Sequence, residues 1–334
     1  MDLSEFDYSL PEELIAKYPV VPRHNARLMV LNRESRSIIH DTFWNLPLYL
    51  NEGDLLVFNN SKVLPARLYG KKSTGGVVEI LLTDYIDKHT WYALVGGKGI
   101  KEKLRVFIGE DLEVEILEHV EGGKFKVYLH SSEPLKALDR YGKIPIPPYI
   151  KREEEEIDRV YYQTVFAKEE GSVAAPTASL HFSEELLKKI KEKGINIAFI
   201  TLHISYGTFK PVRVRDITQH KVDPEYVKVP TETVKLIKQT KERGRRVIAV
   251  GTTVVRALEN RPYEPYEDWA DLYIYPGYQF KVIDGLITNF HLPKSSLLFL
   301  VCAFGGKDFI MEAYKIAVEK RYRFYSYGDG MLIL

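Results

Sequence analysis

The sequence has 334 residues, a length that suits two domains better than one small domain. Hydrophobic residues make up 45% and charged residues 28%, which excludes a chain that is disordered throughout. The 47 basic and 46 acidic residues leave a net charge of +1. Bulk charge therefore argues against a protein that coats nucleic acid, but it leaves room for a local basic patch.

The single cysteine, Cys302, excludes a disulfide within the chain and a cysteine-rich zinc site. Residues 1–5 are acidic rather than apolar, and no stretch approaches the roughly 20 apolar residues that span a bilayer. The longest apolar run, near residues 297–304, predicts a buried helix. We therefore expect a cytoplasmic protein without a membrane partner. No exposed apolar helix face stands out, so we expect a monomer.

The first sixty residues predict mixed α/β structure. Residues 10–15, with Pro11 in the first turn, are typical of a short helix. The apolar runs at 27–31 and 55–58 predict buried strands. The turn-forming residues 59–61 follow the second strand.

Between about residues 64 and 130, short alternating segments separated by glycines predict five or six antiparallel strands. Such a stretch indicates a small barrel or sandwich, and the turn at 121–124 indicates a hairpin. Prolines at 145–148 mark the exit from this module, and the acidic run 153–156 predicts a solvated helix start. The clearest strands are 77–82, 91–95, 112–117 and 125–129.

After residue 157, helices and strands alternate. Ser183 and Thr231 are the predicted N-caps of two helices that end at Gly194 and near Gly244. Further strands are predicted at 195–202, 246–250 and 272–275.

The alternation predicts an α/β domain with a mixed or largely parallel sheet and helices on both faces. We expect this domain to be discontinuous, with residues 1–62 and 151–334, and a small antiparallel β-barrel domain of residues 63–150 to be inserted in it.

Open α/β sheets bind ligands beyond the carboxyl ends of their strands, so the segments that follow predicted strands are of most interest. At 250–256, Gly251 and Thr252 open a helix after a strand. The backbone N–H groups of such a helix start can bind a carboxylate or phosphate. An ordinary strand-to-helix turn is the alternative interpretation.

Two histidines lie in segments of this kind. His181 ends a stretch of small residues, 172–182, where a backbone can approach a ligand closely. Its reference pKa near neutrality suits an acid or a base, but a core or capping histidine is the alternative. His203 follows a predicted strand, and the same two interpretations apply to it.

Two further segments are rich in polar residues. Segment 284–296 contains Asn289, His291 and Lys294 ahead of an apolar continuation, and these groups need partners or a ligand. A helix cap by Ser295 or Ser296 is the alternative. Segment 325–330 contains Asp329, which is either a ligand to a polar group or a turn residue. The aromatic residues of this segment suggest that the C-terminus is packed against the rest of the protein.

Several blocks along the chain match a known family in the family's order. They are residues 53–63, 66–68, 171–178, 180–182, 251–253, 275–278, 286–295 and 325–329. Together they resemble the S-adenosylmethionine:tRNA ribosyltransferase-isomerase family of queuosine biosynthesis. The chain departs from the family pattern at Ser179, usually Gly, at Ser205 and Tyr206, and at Asp223, where a second histidine is usual.

The resemblance implies a reaction. The ribosyl part of S-adenosylmethionine would be transferred to the aminomethyl group of 7-aminomethyl-7-deazaguanine (preQ1) in tRNA and isomerised, which gives epoxyqueuosine and releases adenine and methionine. S-adenosylmethionine would be a co-substrate, and no metal or separate redox cofactor is implied.

This chemistry requires positioned acid–base groups and polar contacts to the substrate. Arg256, Asn289 and Lys294 are expected to hold the methionine carboxylate or the ribose hydroxyls. The catalytic candidates are His181, His203, Glu225, His291 and Asp329. The substrate-binding candidates are Asn59, Asn60, Arg67, Thr177, Gly251, Thr252, Arg256, Asn289 and Lys294.

The tRNA would present an unstacked anticodon base, flipped into a pocket. The most basic part of the chain is the expected site of phosphate contacts, although part of it can equally be the solvated face of a helix. Its residues are Arg213, Arg215, Lys221, Lys241, Arg243, Arg245 and Arg246.

Two other functions compete with this one. An S-adenosylmethionine-dependent RNA methyltransferase would release S-adenosylhomocysteine, but the glycine-rich loop that is common in that class is missing. A noncatalytic RNA-binding protein would need a more basic surface and fewer polar groups at strand ends.

Overall fold

The structure, a computed structural model, describes residues 1–120, 123–205 and 211–334. Its helices are α1 Pro134–Tyr141, α2 Glu156–Tyr161, α3 Glu184–Glu192, α4 Thr231–Glu242, α5 Thr252–Asn260, α6 Ser296–Gly305 and α7 Lys307–Glu319. Its strands are β1 Arg27–Asn32, β2 Ser37–Thr42, β3 Leu55–Asn59, β4 Ser61–Val63, β5 Arg67–Lys71, β6 Val77–Tyr85, β7 Thr90–Gly96, β8 Arg105–Ile108, β9 Leu112–Val120, β10 Lys124–His130, β11 Glu169–Ser172, β12 Asn196–Leu202, β13 Glu225–Val229, β14 Val247–Val250, β15 Tyr266–Ala270, β16 Gly285–Asn289 and β17 Gly330–Ile333.

A nine-stranded sheet within the described residues forms the centre of the molecule, in the order β15-β13-β12-β3-β14-β16-β17-β1-β2. The central strands β12, β3, β14 and β16 run parallel to one another. The C-terminal strand β17 pairs antiparallel with β16 and parallel with β1. The sheet is therefore mixed, and the predicted α/β fold class is confirmed.

Both faces of this sheet are buried. Along β3, Leu55 and Val57 join a core that includes residues of α4, α5, α6 and α7. The alternate residues Leu56 and Phe58 join a second core with Leu186 of α3. Because successive side chains of a strand point to opposite faces, helices cover the sheet on both sides, as its apolar central strands require.

The segment inserted after β4 forms a closed antiparallel barrel of six strands, in the order β10-β7-β6-β5-β8-β9. Its interior is a separate core, and Ala137 and Leu138 of α1 pack into it. The barrel strands lie between residues 67 and 130, inside the predicted insertion of 63–150. The predicted hairpin is present, since β9 and β10 pair antiparallel, but residues 121 and 122 of its turn lie outside the described residues.

Two details of the predicted secondary structure are wrong. The strand predicted at 272–275 lies at Tyr266–Ala270, where it pairs with β13 at the edge of the sheet. Its sequence is polar, so apolar patterning pointed to the tyrosine-rich loop behind it instead. Thr231 does not cap α4, because Pro230 occupies the N-cap position and Thr231 is already helical.

Other predicted boundaries are correct. Ser183 accepts a hydrogen bond from Leu186 N and caps α3, and Ser295 caps α6 in the same way through Leu298 N. No helix in the described part of the chain is both long and apolar enough to cross a bilayer. Among the described residues, no group of three His, Cys, Asp or Glu side chains is arranged to hold a metal ion.

Candidate active site

A well-formed pocket lies where the parallel strands β14 and β16 end. Gly251 directly follows β14, and Asn289 is the last residue of β16. The pocket has a volume of about 330 Å³, within the range of small-molecule sites. Five stretches of chain line it, namely 174–178, 251–253, 288–289, 291–297 and 325–326, together with Tyr149, Ile204, Pro211 and Val212.

One wall consists of small residues. Ala174, Ala175 and Ala178 are buried and line the pocket beside Thr177. Ser172 holds this wall in place, because its hydroxyl donates to Ala174 O at 2.8 Å and accepts from Ile204 N at 3.0 Å. Small side chains let a ligand approach the backbone closely, as the sequence pattern indicated.

A second wall is the start of α5. Gly251 has φ +100° and ψ 149°, a conformation open essentially to glycine alone. It directs Thr252 and Thr253 to the pocket, with the positive end of the helix dipole behind them. The predicted roles of Gly251 and Thr252 are thus compatible with their position.

Asn289 connects the pocket to His181. The amide Nδ2 donates to Tyr325 O at 3.2 Å and lies 3.3 Å from His181 Nε2. Burial lowers the pKa of His181 to about 3, so the ring is neutral at pH 7. A neutral Nε2 that accepts from an amide places the ring proton on Nδ1. His181 lies behind Asn289, stacked on Phe43 with ring centroids 4.1 Å apart.

The C-terminal loop forms a third wall. Tyr325 and Ser326 line the pocket, and the Ser326 hydroxyl bonds to the Tyr149 hydroxyl. Asp329 holds this loop, because its carboxylate accepts from Arg27 N and Arg323 N, each at 2.8 Å. Burial raises the pKa of Asp329 above its ordinary value. The structure therefore gives Asp329 a clamping position behind the pocket wall rather than one facing a substrate.

His291 is the histidine that lines the pocket among the described residues. Its Nε2 lies 2.7 Å from Thr288 Oγ1, and its backbone N donates to Tyr314 OH at 2.9 Å. Burial lowers the pKa of His291 to about 3. The imidazole is therefore neutral at pH 7.

Three buried polar atoms on these walls have no hydrogen-bond partner among the described residues. They are Thr253 Oγ1, Asn289 Oδ1 and the Tyr325 hydroxyl. Each belongs to a residue that lines the pocket. Buried polar groups are normally paired, so this concentration indicates that a polar ligand completes the site.

A smaller recess of about 60 Å³ adjoins the pocket and shares Ser296 and Leu297 with it. Glu225 and Arg256 lie there as a buried ion pair, 2.6 Å apart. Arg256 also donates to Leu272 O at 3.1 Å, and Glu225 accepts from Ser205 N at 3.1 Å. Both residues are thus beside the pocket but outside its lining.

His203 occupies a different place. It lies in a narrow recess between the sheet and the barrel, with Tyr85 of β6 on one side and Tyr226 stacked on the other. Burial lowers its pKa to about 4. The structure does not bring His203 to the pocket with His291.

Three substrate-binding candidates face elsewhere. The Asn59 amide pairs with both Leu202 N and Leu202 O, so it joins β3 to β12. Asn60 Oδ1 accepts from Thr201 Oγ1 at 2.7 Å. Arg67 is a barrel residue 3.6 Å from Glu79.

Lys294 does line the pocket, but its ammonium pairs with Asp7 at 2.6 Å.

The seven basic residues predicted to bind RNA do not form one surface. Arg213, Arg215 and Lys221 belong to the stretch that borders the two cavities, where Arg215 pairs with Asp2. Lys241, Arg243, Arg245 and Arg246 precede β14 and lie at the opposite edge of the sheet from Gly251. Lys241 and Arg246 are, in addition, paired with Asp284 and Asp54.

Sequence reasoning missed part of the lining. Thr253, Tyr325 and Ser326 stand in the matched blocks but were not selected as site residues. Their place in those blocks is the feature of the sequence that could have identified them as lining residues. Tyr149 follows the proline-rich exit of the barrel, and nothing in its sequence context distinguished it. Residues 206–210, with the Tyr206 departure, lie outside the described residues.

The fold and this pocket define an α/β protein with an inserted barrel and a ligand site at the sheet edge. A sequence model of the family described as queuosine biosynthesis protein matches residues 3–333. The chain belongs to this family.

The chain is 71% identical to the S-adenosylmethionine:tRNA ribosyltransferase-isomerase of Aquifex aeolicus and 59% identical to that of Hydrogenobaculum sp., over all of both chains in each case. It is also similar to the crystal structure of S-adenosylmethionine tRNA ribosyltransferase from Thermotoga maritima. That match has 42% identity and a TM-score of 0.57 and covers 99% of this chain and 100% of the other.

Proposed function

We propose that this protein is an S-adenosylmethionine-dependent tRNA ribosyltransferase-isomerase. It transfers the ribosyl part of S-adenosylmethionine to the aminomethyl group of preQ1 in tRNA and isomerises it to the epoxycyclopentanediol of epoxyqueuosine, with release of adenine and methionine. The relatives that carry this name match the whole chain. The protein would work as a monomer in the cytoplasm, where it meets tRNA.

The observation that carries the proposal is the meeting of sequence-distant polar groups around one pocket. Thr253, Asn289 and Tyr325 come from three separate segments, and each brings a buried polar atom without a partner among the described residues. An adenosyl group offers ring nitrogens, an amino group and ribose hydroxyls to such atoms.

The lining also suits a sulfonium. Among the described residues that line the pocket, none is Asp or Glu, and the ammonium of Lys294 is paired with Asp7. The rings of Tyr149 and Tyr325 lie at the pocket instead, with centroids 4.6 Å apart. Aromatic faces attract a desolvated cation, and they do so without offering a nucleophile to the sulfonium.

His291 is the proposed general base. The sulfonium makes the adjacent ribose carbon acidic, and His291 lines the pocket, where an imidazole can take that proton. Thr288 fixes the orientation of the ring. In this proposal His181 positions Asn289 and Asp329 positions the C-terminal loop. Glu225 in the adjoining recess is a second acid–base candidate, and its partner Arg256 is a candidate to bind the methionine carboxylate.

The products test the proposed reaction. Incubation with S-adenosylmethionine and tRNA that carries preQ1 should release adenine and methionine in equal amounts and add the ribosyl-derived group to the tRNA. The same tRNA with guanine in place of preQ1 is the control and should release neither. S-adenosylhomocysteine as the product would identify a methyltransferase. RNA binding without turnover would identify a noncatalytic binding protein.

A further inference from the structure

The barrel and the pocket share one edge of the sheet. The chain leaves the sheet at the end of β3, which is the parallel neighbour of β14, and enters the barrel through β4. It returns through β11, which leads directly into the wall at 174–178. The barrel is therefore joined to the sheet at the same strand ends that form the pocket.

Two loops of the barrel are rich in lysine. We call residues 71–76 and 97–104 the lysine loops, and they touch through Lys72, whose ammonium donates to Lys98 O. Glu102 is their one acidic residue. Within the described part of the chain, none of the lysines of these loops lies within 4.0 Å of a carboxylate. These lysines are Lys71, Lys72, Lys98, Lys101 and Lys103.

Exposed apolar side chains lie beside these lysines. Tyr69, Val77 and Phe107 are 45%, 63% and 46% exposed. In the sheet register, Lys71 is opposite both Val77 and Phe107, and Tyr69 is two residues from Lys71 on the same strand face. We call these three residues and the five lysines the barrel patch.

We propose that the barrel patch binds the RNA substrate outside the reacting base, with lysines on phosphates and Tyr69 and Phe107 against unstacked bases. The inference rests on the proposed function, which makes tRNA the substrate. Lysines without carboxylate partners supply the charge that a phosphate backbone neutralises. Exposed aromatic rings are the usual platforms for bases in RNA loops. The carboxylates opposite Tyr69 and Phe107, Glu79 and Glu113, are paired with Arg67 and Arg105, so the five lysines still make this surface positive.

A charge-reversal variant tests the lysines. The variant is Lys98→Glu, Lys101→Glu and Lys103→Glu together, and the matched control is Lys191→Glu, Lys235→Glu and Lys238→Glu on exposed positions near the opposite sheet edge. The Kd for tRNA at about 0.1 M salt should rise at least ~10-fold in the charge-reversal variant and not in the control. The slope of log Kd against the logarithm of the salt concentration should fall by about 2.

Kinetics separate binding from chemistry. In the charge-reversal variant the KM for tRNA should rise with the Kd, while the KM for S-adenosylmethionine and the kcat at saturating tRNA should stay within about twofold of the wild type. A thermal unfolding curve like that of the wild type confirms that the barrel is folded.

A second variant tests the aromatic side chains. Tyr69→Ala with Phe107→Ala should weaken tRNA binding about 10-fold without a change in the salt dependence, because stacking involves no counterion release. Ile39→Ala, at a residue 47% exposed on the edge strand β2, is the control and should bind tRNA normally.

The outcomes distinguish this inference from the proposed function. If both barrel variants bind tRNA as tightly as their controls while the wild type makes adenine, the inference is wrong and the function stands. If wild-type protein binds tRNA through the patch but makes no adenine, the function is wrong and the inference stands. Lysine-dependent binding to vesicles of anionic phospholipid with no binding to tRNA would overturn both.

Discussion

The nitrogen and the oxygen of the Asn289 side-chain amide have different roles. Its nitrogen is held by Tyr325 O and His181 Nε2. Because a carbonyl accepts hydrogen bonds and does not donate them, this contact fixes which end of the amide is nitrogen. The oxygen is then the buried atom without a partner among the described residues, and it belongs to a pocket residue. A single side chain thus links the C-terminal loop to the ligand.

We predict that Asn289→Ala lowers kcat/KM for S-adenosylmethionine by about 100-fold, since it removes a ligand contact and the support of the Tyr325 loop. The free energy of unfolding should fall by about 1–3 kcal/mol, because Tyr325 O loses a buried partner. Steady-state kinetics and urea unfolding measure the two effects.

Asn59→Ala is the matched control for this variant. Asn59 is an equally buried asparagine that binds backbone groups, but it lies outside the pocket lining. The control should lose comparable stability and keep its kcat/KM at a temperature where it is folded. Equal loss of activity in the two variants would contradict the role of Asn289.

Three neutral histidines whose pKa values are lowered by burial, His181, His203 and His291, make the protein sensitive to acid. The pKa values of His181 and His291 are lowered to about 3 in the folded state, while unfolded histidine titrates near 6.5. Between about pH 6.5 and 3 the unfolded chain therefore binds more protons, and the free energy of unfolding falls as the pH falls. From pH 7 to pH 5 each histidine should remove about 2 kcal/mol.

His291→Asn should reduce this loss between pH 7 and pH 5 by about 2 kcal/mol, as measured by urea unfolding at the two pH values. His119→Asn, at an exposed position on the barrel, is the control. The account of His291 as a buried neutral ring fails if both variants lose as much stability on acidification as the wild type.

At the scale of elements, the start of α5 depends on one backbone conformation. Gly251 donates its N–H to Ile287 O on the neighbouring strand and then turns the chain with a φ of +100°. This turn presents Thr252 and Thr253 to the pocket. The position of the start of α5 therefore depends on the glycine at residue 251.

Gly251→Ala should cost about 1–3 kcal/mol of stability through backbone strain, and it should raise the KM for S-adenosylmethionine by displacing the first turn of α5. Gly244→Ala is the control, because Gly244 also has a positive φ, of +64°, but open space around it. This control should cost about 1 kcal/mol and leave the KM unchanged. Similar KM values for the two variants would argue against a ligand at this helix start.

Sequence patterns predicted the elements whose apolar residues are consecutive. Strands β1, β3, β12 and β14 all read as buried runs, and each is present. The polar edge strand β15 lies a few residues before the position that apolar patterning predicts. Strands β16 and β17 were not predicted, because they are short and form by pairing across the chain, as Leu28 does with Gly330. Local propensity carries no information about such partners.

At the scale of the whole molecule, the sequence predicted which segments carry candidate site residues but not what each residue does. His181, Asn289 and Asp329 lie close together in the structure. His181 lies behind the pocket wall, Asn289 lies in the wall, and Asp329 holds the C-terminal loop beside it. These positions depend on side-chain directions, which are set only when the sheet has assembled. For the same reason Asn59 and His203, which also follow strands, turned out to lie away from the pocket lining.

The barrel, too, could be predicted from the sequence only in part. Its short antiparallel strands were predicted from alternating residues and glycine turns. The proximity of Tyr69, Val77 and Phe107 to the lysine loops was not, because it depends on the register between β5, β6 and β8. A one-residue change of register would turn these side chains inward.

The structure of the complex with S-adenosylmethionine tests the site most directly. We predict that the adenosyl group occupies the pocket of about 330 Å³ with hydrogen bonds to Asn289 Oδ1, Thr253 Oγ1 or the Tyr325 hydroxyl, and that the sulfonium lies beside Tyr149 and Tyr325. An adenosyl group bound in the His203 recess or on the barrel, without contact to any of these three atoms, would contradict the account.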